Sequence, residues 1–314
     1  MGLIDRIEKE LGLPGLVQKL ASDLAPTDLT SLLLEVYRQQ AHRRSAAQVL
    51  AEYQQNRFVK PAQVSPRQLL NWETTLFDTL PEEVEVLDLS PVTPLGTCSV
   101  VAGVDQNWSV STVRGMEVVS DATNVLALEA AARRQTLRKA HPKSREVVRL
   151  GASHRLLRPQ IPFIPGVSTH FNLFCMVSAG RDLGSRGFEF QHVLQHLQVQ
   201  LRALRAFVSP ELALKVKVTD FHRDTQPDRI KTDILDVLQT AFSNLVCEVD
   251  PHRIGGKGYY SGLCFYVFAL MPDGNELNLS DGGEVPWGQR LLSNQKERMV
   301  ISGLSGERSA GLLF

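Results

Sequence analysis

The chain has 314 residues, 43% of them hydrophobic, enough apolar material for one large domain with an appendage; this composition excludes a disordered polypeptide. Lys plus Arg and Asp plus Glu both number 34, so the formal charge is zero. That balance argues against a protein whose main task is gripping nucleic acid, because phosphate contacts dominate such affinity.

Cys98, Cys175, Cys247 and Cys264 stand far apart, without the spacing of a zinc site, and read as buried small hydrophobes in a reducing compartment. No apolar run approaches the roughly 20 residues that span a membrane, and the first residues lack a secretory apolar core. A cytoplasmic protein is expected.

Residues 1–60 read as helical. Leu3, Ile4, Ile7 and Leu11 form an apolar stripe that breaks at Pro14-Gly15. A second helix is expected after Pro26, capped by Thr27 or Asp28, with Leu29, Leu32, Leu33, Val36 and Tyr37 as its stripe. Val49, Leu50 and Tyr53 extend it beyond the basic cluster Arg38, His42, Arg43 and Arg44, which reads as a solvated face. Residues 1–62 are therefore an expected helical appendage, for packing or for a protein partner, ahead of a main domain at 63–314.

Ser65-Pro66 opens a further helix with apolar Leu69, Leu70, Trp72, Leu76, Phe77 and Leu80, ending near Pro81. Strands are expected at 84–89, 99–104, 109–112 and 116–119, with a turn at 105–108. Ser120-Asp121-Ala122-Thr123 then caps a helix over 124–139. Two β-capable runs, 146–150 and 171–177, flank a turn-rich loop with Pro162 and Pro165, which predicts a long antiparallel hairpin.

The periodicity then predicts an amphipathic helix over 188–207. Its His192 and His196 lie four apart, a spacing two metal ligands can use, but with no third ligand close by they read as an exposed polar face. Strands at 212–218, 247–250 and 267–271 and a helix at 230–244 complete the reading. Between them, Pro251 to Phe265 carries glycines before Tyr259-Tyr260, which implies backbone packed closely against a ligand or strand.

Several of these segments, in order, resemble the class II aminoacyl-tRNA synthetases, histidyl branch. His154-Arg155-Leu156-Leu157-Arg158-Pro159-Gln160, a loop, and His170-Phe171-Asn172-Leu173-Phe174 look like that family's motif 2. The helix, strand and proline of 65–94 look like motif 1, which builds a dimer interface. The Tyr-Tyr-x-Gly-x-x-Phe register of 259–265 looks like the second histidyl signature, and 298–308 like motif 3.

The resemblance implies an α+β fold with a mostly antiparallel sheet flanked by helices, and a homodimer. It implies that Arg155 is catalytic and grips the ATP α-phosphate, with Arg158 beside it, Phe171 stacked on adenine and Arg308 on the γ-phosphate. Mg would accompany ATP. Asp121 and Thr123 would hold the α-amino group of an amino-acid-like ligand, with Tyr259, Tyr260 and Arg253 completing that site.

Three departures qualify the implied activity. Leu157 replaces the motif 2 glutamate, Gly255 stands where an arginine promotes adenylate formation, and Leu173 replaces a polar residue that reads histidine. The chain also stops six residues after Arg308, so an anticodon-binding domain is not expected, and tRNA is a poor fit.

Three functions stay open on the sequence. One is a paralogue that binds ATP, or a related nucleotide, with a small amino-acid-like metabolite and forms an acyl-adenylate for a non-tRNA acceptor. A second is a non-catalytic regulatory subunit that senses an amino acid and controls a partner enzyme, as a histidine-biosynthesis paralogue does. The third is a structural dimer acting through its N-terminal helices.

Overall fold

The computed structural model describes residues 2–162 and 168–312; the loop residue Pro165 lies outside them. At the N-terminus, α1 (Leu3–Leu11) stops at Gly12, whose φ of 68° suits glycine. α2 (Leu16–Gln18) continues into one π turn, and α3 (Pro26–His42) follows. Pro26 is itself the first helical residue, with Ala25 at the cap. The expected cap at Thr27 or Asp28 is displaced because proline's fixed φ and missing N–H suit the first turn. α4 (Ala46–Gln55) begins with a reciprocal Ser45–Gln48 capping box.

No residue of α1 to α4 is buried. Their stripes form but stay largely in solvent, with Leu3 at 64% exposure and Leu50 at 58%.

The main body begins with α5 (Pro66–Asp78), capped by Ser65. Its Trp72 and Leu76 are fully buried, and the Trp72 ring meets Phe207 edge-on at 5.1 Å. Then come β1 (Glu85–Val86), β2 (Val92–Pro94), β3 (Met116–Val118), α6 (Ala122–Ala140), β4 (Val148–Leu157) and β5 (His170–Arg181). α7 (Gly187–Phe207), β6 (Leu214–Asp220), α8 (Pro227–Ile230) and α9 (Asp236–Ala241) follow. The chain continues through β7 (Leu245–Val249), β8 (Leu263–Leu270), β9 (Glu276–Val285), α10 (Trp287–Leu292), β10 (Glu297–Ser305) and α11 (Gly306–Ala310).

Eight strands form one sheet in the order β1-β4-β5-β10-β9-β8-β6-β7. Its interior pairs are antiparallel, and only the pairs at the two edges, β1 with β4 and β6 with β7, are parallel. The sheet is covered on both sides. α5 and α7 bury Trp72, Phe188, Leu197 and Leu201 against one face, while α6 and α10 bury Leu126, Ala130 and Trp287 against the other. This is an α+β fold with an N-terminal helical segment. Among the described residues no helix is long and apolar enough to cross a membrane.

Several expectations change. The segment expected as a strand at 99–104 instead winds into a π turn, Thr97–Val101. Buried Glu117 of β3 explains this, because its carboxylate accepts the N–H of Gly96 (3.0 Å) and of Cys98 (2.7 Å) and so uses up the edge a strand would need. The run at 109–112 contributes one isolated bridge, Ser111 to Glu117, and the strand at 84–89 shortens to Glu85–Val86.

His192 and His196 are not exposed. Both lie on α7 and are fully buried; His196 hydrogen-bonds Ser178 Oγ and Ser302 Oγ at 2.9 Å each, and neither ring nitrogen of His192 has a protein partner among the described residues.

Burial disfavours the imidazolium, pulling His192 down to about 4 and His196 to about 3. The unfolded chain therefore binds more protons below the ordinary histidine value near 6.5, and stability is full above that pH. We predict that acidification from pH 7 costs roughly 1.4 kcal/mol per pH unit per imidazole below that point. Urea titrations between pH 7 and 5 check this: His196→Gln flattens the slope, and an unchanged slope contradicts the assignment.

Candidate functional site

The sheet's α6 face opens into a cleft of two lobes, about 720 Å³ and 840 Å³. α6 starts at the wall of the first lobe. Its cap residue Asp121 accepts, through Oδ1, the Thr123 backbone N–H (3.0 Å) and hydroxyl (2.7 Å). Its Oδ2 accepts the Tyr259 phenol (3.2 Å) and faces Arg158 Nη2 at 3.5 Å. One carboxylate thus ties together a helix start, the glycine-rich turn and the end of the hairpin.

Tyr259 and Tyr260 meet edge-on with ring centroids 5.0 Å apart. The Tyr260 phenol donates to Asp281 Oδ2 at 3.1 Å. Burial pushes both phenols well up, with Asp121 adding to the effect on Tyr259 and Asp281 to that on Tyr260, so both remain donors. Burial also raises the Asp281 carboxyl.

Arg158 borders both lobes. Its Nε donates to Ser120 O (2.8 Å), and its guanidinium lies 5.2 Å from the Phe171 ring centre. Phe171 and Arg308 line the second lobe, and Arg308 Nη1 donates to Asn278 O at 2.7 Å. Six candidates therefore meet at one cleft with Arg308: Asp121, Thr123, Tyr259, Tyr260, Arg158 and Phe171.

Arg155 lines neither lobe. In the hairpin it pairs with Asn172, whereas Leu156 pairs with Phe171, so strand alternation turns Arg155 to the opposite face from Phe171. Nη1 meets His170 Nδ1 and, at the border of the second lobe, Glu307 Oε1, both at 3.0 Å. Leu157 shares that face. Arg253 stands behind the first lobe, 8% exposed, its guanidinium 3.5 Å from the Tyr266 ring centre and its Nε donating to Gly255 O. Lys257 lines the lobe directly.

The cleft is divided by charge. Asp105, Asp121 and Asp281 border the first lobe against Lys257 and Arg158. Arg57, Lys60, Arg158 and Arg308 border the second against Glu307 and Asp281. Arg57, Lys60 and Asp281 are the residues that motif reasoning missed. The first two lie in the segment leading out of α4, where Lys60 O meets His170 Nε2 at 2.5 Å, and their signal was the pair of cations just before Pro61. Asp281 sits in the middle of β9 beside Gly282-Gly283, and nothing local marks it. Among the described residues, no three His, Cys, Asp or Glu side chains converge as a metal site.

Apo histidyl-tRNA synthetase from S. aureus superimposes with a TM-score of 0.58 at 14% identity, over 80% of this chain and 68% of that one. An ATP phosphoribosyltransferase regulatory subunit/histidyl-tRNA synthetase from Bacillus halodurans gives 0.56 at 12% identity, over 82% and 83%. The fold is that of the class II aminoacyl-tRNA synthetase catalytic core. A histidine–tRNA ligase subunit from Alicyclobacillus acidocaldarius gives 0.55 at 12% identity, over 81% and 95%. No protein-family model matches the sequence, and no curated protein matches it. At these identities the likeness is one of fold, and the synthetase-like core carries its own set of side chains.

Asp121 does two jobs that separate by substitution. We predict that Asp121→Ala costs about 1 kcal/mol through the lost cap, whereas Asp121→Asn, whose amide oxygen still accepts, costs less than half of that. Chemical denaturation of both variants checks it, and equal losses exclude the cap as the source.

Proposed function

We propose that the protein is a class II synthetase-like paralogue that binds an amino-acid-like metabolite in the first lobe and ATP, or a related nucleotide, in the second. The observation that carries this reading is the division of charge across one continuous cleft. The carboxylates bordering the first lobe suit an ammonium group, and the four cations bordering the second, with Phe171, suit phosphates with a base stacked nearby. Asp121 Oδ2 and the Thr123 hydroxyl would receive the ammonium, while Arg158, at the junction, would face the α-phosphate. Mg would enter with the nucleotide, where Glu307 and Asp281 are the bordering carboxylates. A symmetric dimer through α5 and the sheet edge at β1, with α1 to α4 free for a protein partner, belongs to the same reading.

In an adenylate-forming reaction, a ligand carboxylate oxygen bonds to the α-phosphorus and pyrophosphate leaves. Negative charge builds at the α-phosphate, and a fixed cation there stabilises it. Arg158 is held for this by Ser120 O and Asp121. The acceptor of the acyl group would be something other than tRNA.

A second reading, a non-catalytic sensor of an amino acid that controls a partner enzyme, is favoured by the Arg155–Glu307 pair. That pair neutralises a motif 2 arginine at the rim of the second lobe, and no arginine stands at Gly255.

Thermal unfolding with ATP-Mg, alone and with amino acids, tests the proposal. We predict that ATP-Mg raises the melting temperature, that Arg158→Ala weakens nucleotide binding by about tenfold or more, and that Arg155→Ala weakens it less. Pyrophosphate exchange separates the readings: exchange supports adenylate formation, whereas ligand binding without exchange supports the sensor. No shift with ATP, in the presence or absence of amino acids, rejects the nucleotide lobe.

A further inference from the structure

The first lobe holds one carboxylate more than an α-ammonium needs. Asp121 is already engaged by Thr123, Tyr259 and Arg158. Asp281 is different. Tyr260 is its one side-chain donor, and no cation lies within 4.0 Å of it among the described residues. A half-buried carboxylate with one phenol donor, on which Arg253 and Arg158 act only from beyond 4.0 Å, is incompletely compensated, and a cation from a ligand would complete it. Because Asp281 borders both lobes, the uncompensated charge faces ligand space.

Arg253 is an independent observation. It is 8% exposed, and both terminal nitrogens lack a hydrogen-bond partner. Its guanidinium lies 5.5 Å from the Tyr260 ring centre, and the position a Gly256 side chain would fill is 3.2 Å from Nη2. Gly256 lines the lobe, so a buried and unsatisfied guanidinium stands one glycine behind the ligand space. Such a group calls for an anion.

The walls between these charged points are apolar, with Leu173, Ile301 and Trp108 in the lining. The twin tyrosines also set the scale. Each donates to one of the two carboxylates, and their rings are 5.0 Å apart, so Asp121 and Asp281 are neighbours across a short span.

Resting on the proposed ammonium site at Asp121, we infer that the ligand is a diamino acid. Its α-ammonium is held by Asp121 and Thr123, its side-chain ammonium by Asp281, and its carboxylate lies between Lys257 and Arg158, the two cations of the lobe lining, with Arg253 behind Gly256. The methylenes between them pack on Leu173 and Trp108. A neutral side chain of equal length would leave Asp281 uncompensated, and an acidic one would be repelled.

Calorimetric titration of the full chain tests this with lysine, ornithine and 2,3-diaminopropionate against norleucine, alanine and glutamate. The expected result is that one diamino acid binds more tightly than norleucine, on the order of tenfold to a hundredfold, and that Asp281→Asn brings this ratio close to one. Tyr260→Phe, which keeps the carboxylate, retains most of the preference and guards against a folding defect in the first variant. Binding of neutral amino acids with no preference overturns the diamino assignment and leaves the ammonium site at Asp121 standing. A preference that persists in Asp281→Asn also overturns it. No binding by any amino acid overturns both.

Discussion

The carboxylate of Asp121 is the point on which the cleft depends. It caps α6, accepts the phenol of Tyr259 and faces the guanidinium of Arg158, so three segments far apart in the chain meet at its two oxygens. A helix cap is a local device, stabilising by about a kilocalorie per mole. Here the same group also fixes where the glycine-rich turn and the end of the hairpin lie. Arg158 is thereby held at the boundary between an acidic lobe and a basic one.

That boundary gives the fold its chemical character. The two lobes share one sheet face, and their opposite charge comes from different elements. The acids stand on the segment before α6, at its cap and on β9, and the cations on the segment leading out of α4, the hairpin and α11. A ligand with an ammonium at one end and phosphates at the other would meet complementary groups throughout. The opposite sheet face serves stability, with buried Trp72, Phe188 and the His196–serine pair under α7.

Long elements with a clear period were legible. The helices over 66–78, 122–140 and 187–207 were expected within a few residues, because an apolar stripe marks each; the hairpin was expected too, but its first strand runs past the expected end at 150 to Leu157. Short segments were not. Thr97–Val101 has the β-branched composition of a strand, but Glu117 takes the amide groups that would have paired. His192 and His196 read as a polar face because the partners of His196, Ser178 and Ser302, lie on strands far off in the sequence, and His192 is buried with no hydrogen-bond partner among the described residues. The cap motif Asp121-x-Thr123 was readable as a site because its geometry is local. Asp281 was not, because a lone carboxylate in a strand acquires meaning only from Tyr260 and Arg253 behind it.

By itself the sequence determined the α+β composition, the helical N-terminus, the long hairpin and the resemblance to the synthetase core, all carried by patterns a few residues long. Only the tertiary structure decided which arginine stands at the junction of the two lobes. Alternation along β4 and β5 reverses the side chain's face at every residue, so the hairpin register alone sends Arg155 to Glu307 and brings Arg158 to Asp121.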